Sequence, residues 1–328
     1  MKPAIQTPLL DSLQTVLMPY RGKPVFFEPL HGNNGDRLIE MGSRELLARL
    51  GITLVNQPDQ AAVILLNGGA GMTDIWVHGF ETLATYNRRY PTIPLIICPS
   101  SFWFAQTDFP ALFRDRRSPA WIYARERYSL ETLQALEFPG DVRLGLDHDM
   151  AFHLQNSAYL RELRTKTAQK HILIVERNDP ESVTGSYQPQ VVSSSTSRWK
   201  QFIPKPIKQA VYRHVTIPLR HRQIAQHLGE QGIHTTFTQD CLHRLIQDDP
   251  SRATLPIFAA DISDPALCNF HRFSQLIAEA SVVAATRLHV GILAALLDKP
   301  TYIQAGSYHK IRGIYEYSLT NYNQVHLF

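Results

Sequence analysis

The sequence predicts an α/β protein made of two Rossmann-like parallel-sheet domains that face each other across a cleft. Three observations predict it. Short apolar runs alternate with helical patterns along the chain, as expected for βαβ units with both sheet faces covered. The second half repeats the grammar of the first. At 328 residues the chain also exceeds one ordinary domain. The domains are expected at 1–160 and 161–305, with 306–328 crossing back to the N-terminal domain.

The elements follow in order. Val25 to Leu30 is a strand, Gly32 to Gly35 a tight loop, and Leu38 to Leu50 an amphipathic helix. Ala61 to Leu66 is a second strand, ending in Asn67-Gly68-Gly69. Leu95 to Cys98 is a third, stopped by Pro99, because proline offers no N–H to a ladder. Trp121 to Ala124 is a fourth, followed by a helix through Leu136. Beyond the junction, His171 to Val175 reads as a strand, Arg220 to Gln231 as a helix ending at Gly232, and His234 to Thr238 as a strand. Phe270 to Glu279 is a helix, Val282 to Ala285 a strand, Leu288 to Leu297 a helix, and Thr301 to Ile303 the last strand.

Hydrophobic residues make up 44% and charged residues 19%, which suits a packed core. A net charge of +4 is too small to point to nucleic acid, but it fits a small anion where arginines converge. Cys98, Cys241 and Cys268 are far apart and form no C-x-x-C pair, so neither a zinc site nor a disulfide framework is expected. No run of about 18 apolar residues occurs. The protein is read as soluble and cytoplasmic.

In open parallel sheets, ligands bind beyond the carboxyl ends of strands. Four segments carry chemistry there. Gly32-Asn33-Asn34-Gly35-Asp36 leaves free amides at a helix start, suited to an anion or a sugar hydroxyl, with Asp36 expected at the N-cap. Asp36 as a cap alone is the competing reading. Asn67-Gly68-Gly69-Ala70-Gly71 lacks a third glycine at Asp74, so NAD is not expected; close backbone approach to a ligand is. Ala124 to Ser129 places Arg125 at a strand end, either to grip an anion or to form a surface pair with Glu126. Thr286-Arg287-Leu288-His289 lies between an apolar strand and an apolar helix, where a charged Arg and a His are costly unless paired or used. Asp147-His148-Asp149 are consecutive and cannot all face one ion, so no metal is assigned. Arg177, Asp179 and Glu181 follow a strand and could reach the cleft, but read first as a solvated charged turn.

In this order, these segments make the chain resemble the polysaccharide pyruvyl transferase family. The resemblance adds a P-x-S segment at Pro99 to Ser101 and a D-x-A-F segment at Asp149 to Phe152. It adds R-L-H-x-x-I-x-A-x-L-x-K-P at Arg287 to Pro300, and in all runs from about residue 25 to 317. It implies a GT-B-like fold, with acceptor on the N-terminal side and phosphoenolpyruvate as donor on the C-terminal side, and no cofactor or metal. Arg125, Arg287 and Leu288 would bind the donor, and His289 and Asp36 would be catalytic. Gly32, Asn33, Gly35, Gly69 and Ser100 would line the ligand loops. The product would be a pyruvate ketal on a sugar, an oligosaccharide or a lipid-linked glycan. The competing functions are a nucleotide-sugar glycosyltransferase of the same fold and a sugar-binding protein without catalysis. Between Arg198 and Arg222 the chain holds seven lysines and arginines and no acid, which suits either a solvated insertion without a partner or peripheral contact with an anionic membrane surface.

Overall fold

The computed structural model describes residues 12–328 apart from 77, 178, 180 and 183–234. The expected helix at Arg220 to Gln231 and the basic stretch from Arg198 to Arg222 lie outside the described residues. The chain forms an α/β protein in two compact units. The first takes residues up to Glu162 together with Tyr308–Asn323 and Leu327; the second takes Leu163–Ser307, Gln324–His326 and Phe328.

The first unit contains α1 (Leu13–Leu17), β1 (Pro24–Glu28), α2 (Asn34–Arg49), β2 (Thr53–Val55), β3 (Val63–Leu66) and β4 (Gly69–Thr73). It continues with α3 (His78–Arg89), β5 (Leu95–Trp103), β6 (Ala120–Ala124), α4 (Arg127–Gln134) and β7 (Val142–Leu146), after which α5 (Ala158–Thr165) leads out. The strands form a seven-stranded sheet of order β2-β1-β3-β5-β6-β7, with β4 paired to β5 off this path. Their pairings are parallel. Period-two alternation sorts the side chains between the faces. Val25, Val63, Leu65 and Ile96 pack with Ile39, Leu46 and Leu47 of α2. Ile64, Leu66, Ile97 and Ile122 pack with Phe80 and Leu83 of α3 and Leu130 and Leu133 of α4.

Of the boundaries that differ from the sequence expectation, two have a local cause. β1 ends at Glu28, because Pro29 follows and Leu30 adopts a left-handed φ of 44°. β5 does not stop at Pro99 but runs on to Trp103. Its neighbour changes there: Ile97 pairs with Leu66 of β3, whereas Ser100 pairs with Gly69 of β4. The register toward β6 also shifts between Ile97 and Ser100. Pro99 occupies that irregularity, where its missing N–H interrupts no regular ladder.

The second unit contains β8 (His171–Val175), α6 (Thr236–Asp248), β9 (Ile257–Ala259), α7 (Phe270–Glu279), β10 (Ala280–Ala285), α8 (Leu288–Leu296) and β11 (Thr301–Ile303). The helix α9 (Lys310–Ile314) belongs to the first unit, and β12 (Val325–Leu327) completes the second sheet, of order β12-β11-β10-β8-β9. β8 pairs in parallel with β9 and β10, and β10 with β11. Phe237, Cys241 and Leu245 of α6 pack on Ile172, Ile174, Val282 and Ala284. The strand expected at His234 to Thr238 is not formed. Thr235 instead caps α6, its hydroxyl accepting the Thr238 N–H at 3.1 Å. A run of β-branched residues thus becomes a helix start once its threonine finds a capping geometry.

Candidate functional site

In chain order the two sheets share one plan. Leaving β4 aside, the first unit places its second strand, its first, its third and then the later ones in sequence. Among the described strands of the second unit the order is the same: β9, β8, β10, β11, β12. In such a sheet the chain reverses direction between the first and third strands, and a crevice opens at their carboxyl ends. That switch point lies between β1 and β3 in one unit and between β8 and β10 in the other.

At the first switch point stand the loops after β1 and β3. Asn33, not Asp36, is the N-cap of α2: its side chain accepts the Gly35 N–H at 2.7 Å. Asp36 sits three residues further on, and its Oδ2 accepts the Asn33 N–H at 2.7 Å, closing a capping box. Gly32 makes room for this carboxylate, and Gly69 lies beside it. A Cβ on Gly32 would lie 2.0 Å from Asp36 Oδ2, and one on Gly69 would lie 3.7 Å from Oδ1. Gly69 also has a φ of 136°, which side chains rarely adopt. Gly32, Asn33, Gly35, Asp36 and Gly69 therefore converge on one spot. Gly68 serves packing instead, since a Cβ there would sit 2.3 Å from the Pro99 carbonyl oxygen.

Arg125 departs from its expected surroundings. It is fully buried, as is Glu126, so no surface pair forms between them. Arg125 Nη1 donates to Asp149 at 2.7 Å and Nε to the Ser101 hydroxyl at 2.9 Å, while Nη2 has no hydrogen-bond partner among the described residues. Ser100, expected to line a ligand loop, turns inward and donates to the Cys98 carbonyl at 2.8 Å. Glu126 caps α4 by accepting the Ser129 N–H at 2.9 Å, and His309 Nε2 stands 3.5 Å from the same carboxylate.

At the second switch point, Arg287 is the N-cap of α8, with Leu288 and His289 opening the helix. Leu288 is buried and His289 half-buried. The guanidinium is held on two sides. Nε donates to Asp261 Oδ1 at 3.0 Å and Nη2 to Asp261 Oδ2, while Nη1 donates to Asp179 Oδ2 at 2.5 Å. Burial works against this charge, but Asp261 and Asp179 outweigh it and hold the group above its ordinary pKa. The charged group Arg177, Asp179 and Glu181 is not the solvated one expected: Glu181 is buried and Arg177 and Asp179 are largely covered, their side chains 2%, 11% and 18% exposed. Arg177 pairs with Glu181 and approaches Asp179 at 3.3 Å, and its N–H donates to the Thr286 hydroxyl at 2.7 Å.

Asp149, Ser101, Asp179 and Asp261 were not expected at the site from the sequence. Asp149 and Ser101 carried a signal in the D-x-A-F and P-x-S segments and Asp179 in the charged group after β8, whereas Asp261 carried none. The thiols of Cys241 and Cys268 are pushed up to about 12 by burial, which leaves them unreactive. Among the described residues, no helix is long and apolar enough to cross a membrane.

Two parallel α/β units with Rossmann-like strand order place the chain among open-sheet α/β proteins, a class whose ligand sites lie at strand ends. Residues 19–303, most of the chain, match the polysaccharide pyruvyl transferase family, and the chain belongs to that family. No curated protein matches it. Among solved structures, it is similar to an uncharacterized protein from Klebsiella pneumoniae subsp. pneumoniae NTUH-K2044. The two share 18% identity over 96% of each chain, with a TM-score of 0.58, a likeness of fold.

Proposed function

We propose that the protein transfers the enolpyruvyl group of phosphoenolpyruvate to two hydroxyls of one sugar, forming a pyruvate ketal in the synthesis of a polysaccharide or cell-surface glycan. Family membership supports pyruvyl transfer. The observation that carries the finer reading is the fully buried Arg125, whose Nη2 has no partner among the described residues while Asp149 and Ser101 fix the rest of its fork. A buried donor left unpaired is costly, and an anionic ligand offers the missing acceptor.

The reading assigns roles as follows. A GT-B-like pairing of the two units brings acceptor and donor together, in the cytoplasm. Arg125 and Arg287, with the start of α8 at Leu288, neutralise the donor's phosphate and carboxylate. His289 adds a proton to the methylene carbon, giving an oxocarbenium-like centre at the adjacent carbon. A sugar hydroxyl oriented by Asp36 attacks that carbon and gives up its proton. The carbon–oxygen bond to phosphate then breaks, phosphate leaving with the electron pair. A second hydroxyl attacks the same carbon, loses its proton and closes the ketal. The sum is phosphoenolpyruvate plus a diol giving ketal plus inorganic phosphate.

The test incubates the protein with phosphoenolpyruvate and a panel of glycosides, following phosphate release and product mass. Phosphate is expected only when a suitable glycoside is present, together with a product that carries a pyruvyl ketal and loses it in mild acid. Turnover of a nucleotide sugar without ketal formation would overturn the reading.

A further inference from the structure

The cluster behind Arg287 has an arrangement that donor binding by one arginine does not explain. Asp179 bridges two guanidinium groups. Its Oδ2 accepts from Arg287 Nη1 at 2.5 Å, and its Oδ1 lies 3.3 Å from Arg177 Nε and accepts the Glu181 backbone N–H at 3.0 Å. We infer that Arg177 and Arg287 form a two-arginine site for a phosphate-bearing anion, which the Asp179 carboxylate occupies in the structure. The inference rests on the reading of the second unit as the donor side.

Two arginines that share one oxyanion are the geometry in which a phosphate or carboxylate is gripped. The two acids around Arg287 differ in kind. Asp261 meets the Nε and Nη2 edge of the guanidinium fork to fork, with its side chain 8% exposed. It is a positioning residue, fixing the plane of the fork. Asp179 meets only Nη1, is more open at 18% exposure, and stands in the irregular stretch that follows β8. Of the two acids it is the one that water reaches more readily as it leaves Arg287.

Charge points the same way. Among the described residues, two guanidinium groups, Arg177 and Arg287, face three carboxylates, Asp179, Glu181 and Asp261. Each carboxylate at the two arginines opposes the approach of a multivalent anion, Asp179 most directly because it bridges both. With Asp179 withdrawn, the two arginines face the ligand while Asp261 still holds Arg287 and Glu181 still holds Arg177. Asp179 thus competes with the ligand from within, and the apparent affinity is reduced by the fraction of molecules in which Asp179 is in place.

A purely structural ion-pair network makes no such claim, and the sign of one substitution separates the two. Calorimetric titration of the full-length protein with phosphoenolpyruvate and, separately, with inorganic phosphate provides the readout. Asp179→Asn, which keeps the shape and removes the charge, is expected to bind both anions about ten-fold tighter or more. Arg177→Gln and Asp261→Asn are expected to bind them about ten-fold weaker, and Asp261→Glu to recover part of that loss. Asp179→Ser carries the same expectation where Asp179→Asn does not fold. Equal or weaker binding by the Asp179 variants, unchanged binding by Arg177→Gln, or no binding of either anion to any variant overturns the site. Pyruvyl transfer is scored separately. If no sugar is pyruvylated while the affinity pattern holds, the proposed reaction fails and the anion site stands. If ketals form but the pattern is absent, the site fails and the reaction stands.

Discussion

Asp36 shows how one side chain serves both a helix and a site. Its Oδ2 is committed to the Asn33 N–H, and its Oδ1 lies against the Gly69 turn. Substitution to asparagine keeps an oxygen for the capping bond but removes the charge and the basicity. Asp36→Asn is therefore expected to cost no more than about 1 kcal/mol in stability, judged by chemical denaturation. Its turnover is expected to fall about 100-fold or more if Asp36 takes or orients the hydroxyl proton. Full activity of Asp36→Asn would leave the residue with the cap alone. Arg125 calls for a gentler substitution than alanine, since truncation would strand the buried Asp149 carboxylate, a loss typically of about 3–5 kcal/mol.

At the scale of elements, legibility followed the range of the interactions. Phe270–Glu279, His171–Val175 and Thr301–Ile303 form as expected from the sequence, because their periodicity and length are local properties. The glycine loops after β1 and β3 were legible for the same reason. The partners of the arginines were not: Asp149 lies 24 residues from Arg125, Asp261 26 from Arg287, and Asp179 108 from Arg287. Only sheet order brings such residues together, and no local pattern encodes it. The continuation of β5 past Pro99 escaped notice likewise, because it depends on β4 taking over from β3 as its neighbour. That handover requires Gly68, whose α-carbon faces the Pro99 carbonyl. Gly68→Ala is expected to destabilise the protein by about 1–3 kcal/mol through overpacking against backbone. A melting temperature unchanged from wild type would show that β5 can shift without cost.

At the scale of the whole chain, the first unit is closed by residues from far along the sequence. His309 reaches the Glu126–Ser129 cap, Tyr128 donates to Glu316 at 3.0 Å, and His148 meets the Ser318 hydroxyl at 2.8 Å and stacks on Tyr317. A Cβ on Gly313 would lie 2.9 Å from that of Glu126, so the return segment is in close contact. A fragment ending at Glu162 is expected to show rapid amide exchange in α4 and after β7. A synthetic peptide covering 308–323 is expected to slow that exchange. Protection of the fragment equal to that of the intact protein would mean the return segment adds nothing to the unit.

The same return segment sets a schedule for synthesis in the cell. A ribosome finishes β1 through β7 about 160 residues before it reaches α9, at roughly 5–20 residues per second. For those seconds the nascent first unit lacks the cover that Glu126 and His148 receive in the finished protein. Stop codons that fall before residue 308 would thus release a polypeptide whose leading half is translated yet unsealed, so quality-control proteases can distinguish truncated products by the surface they leave open.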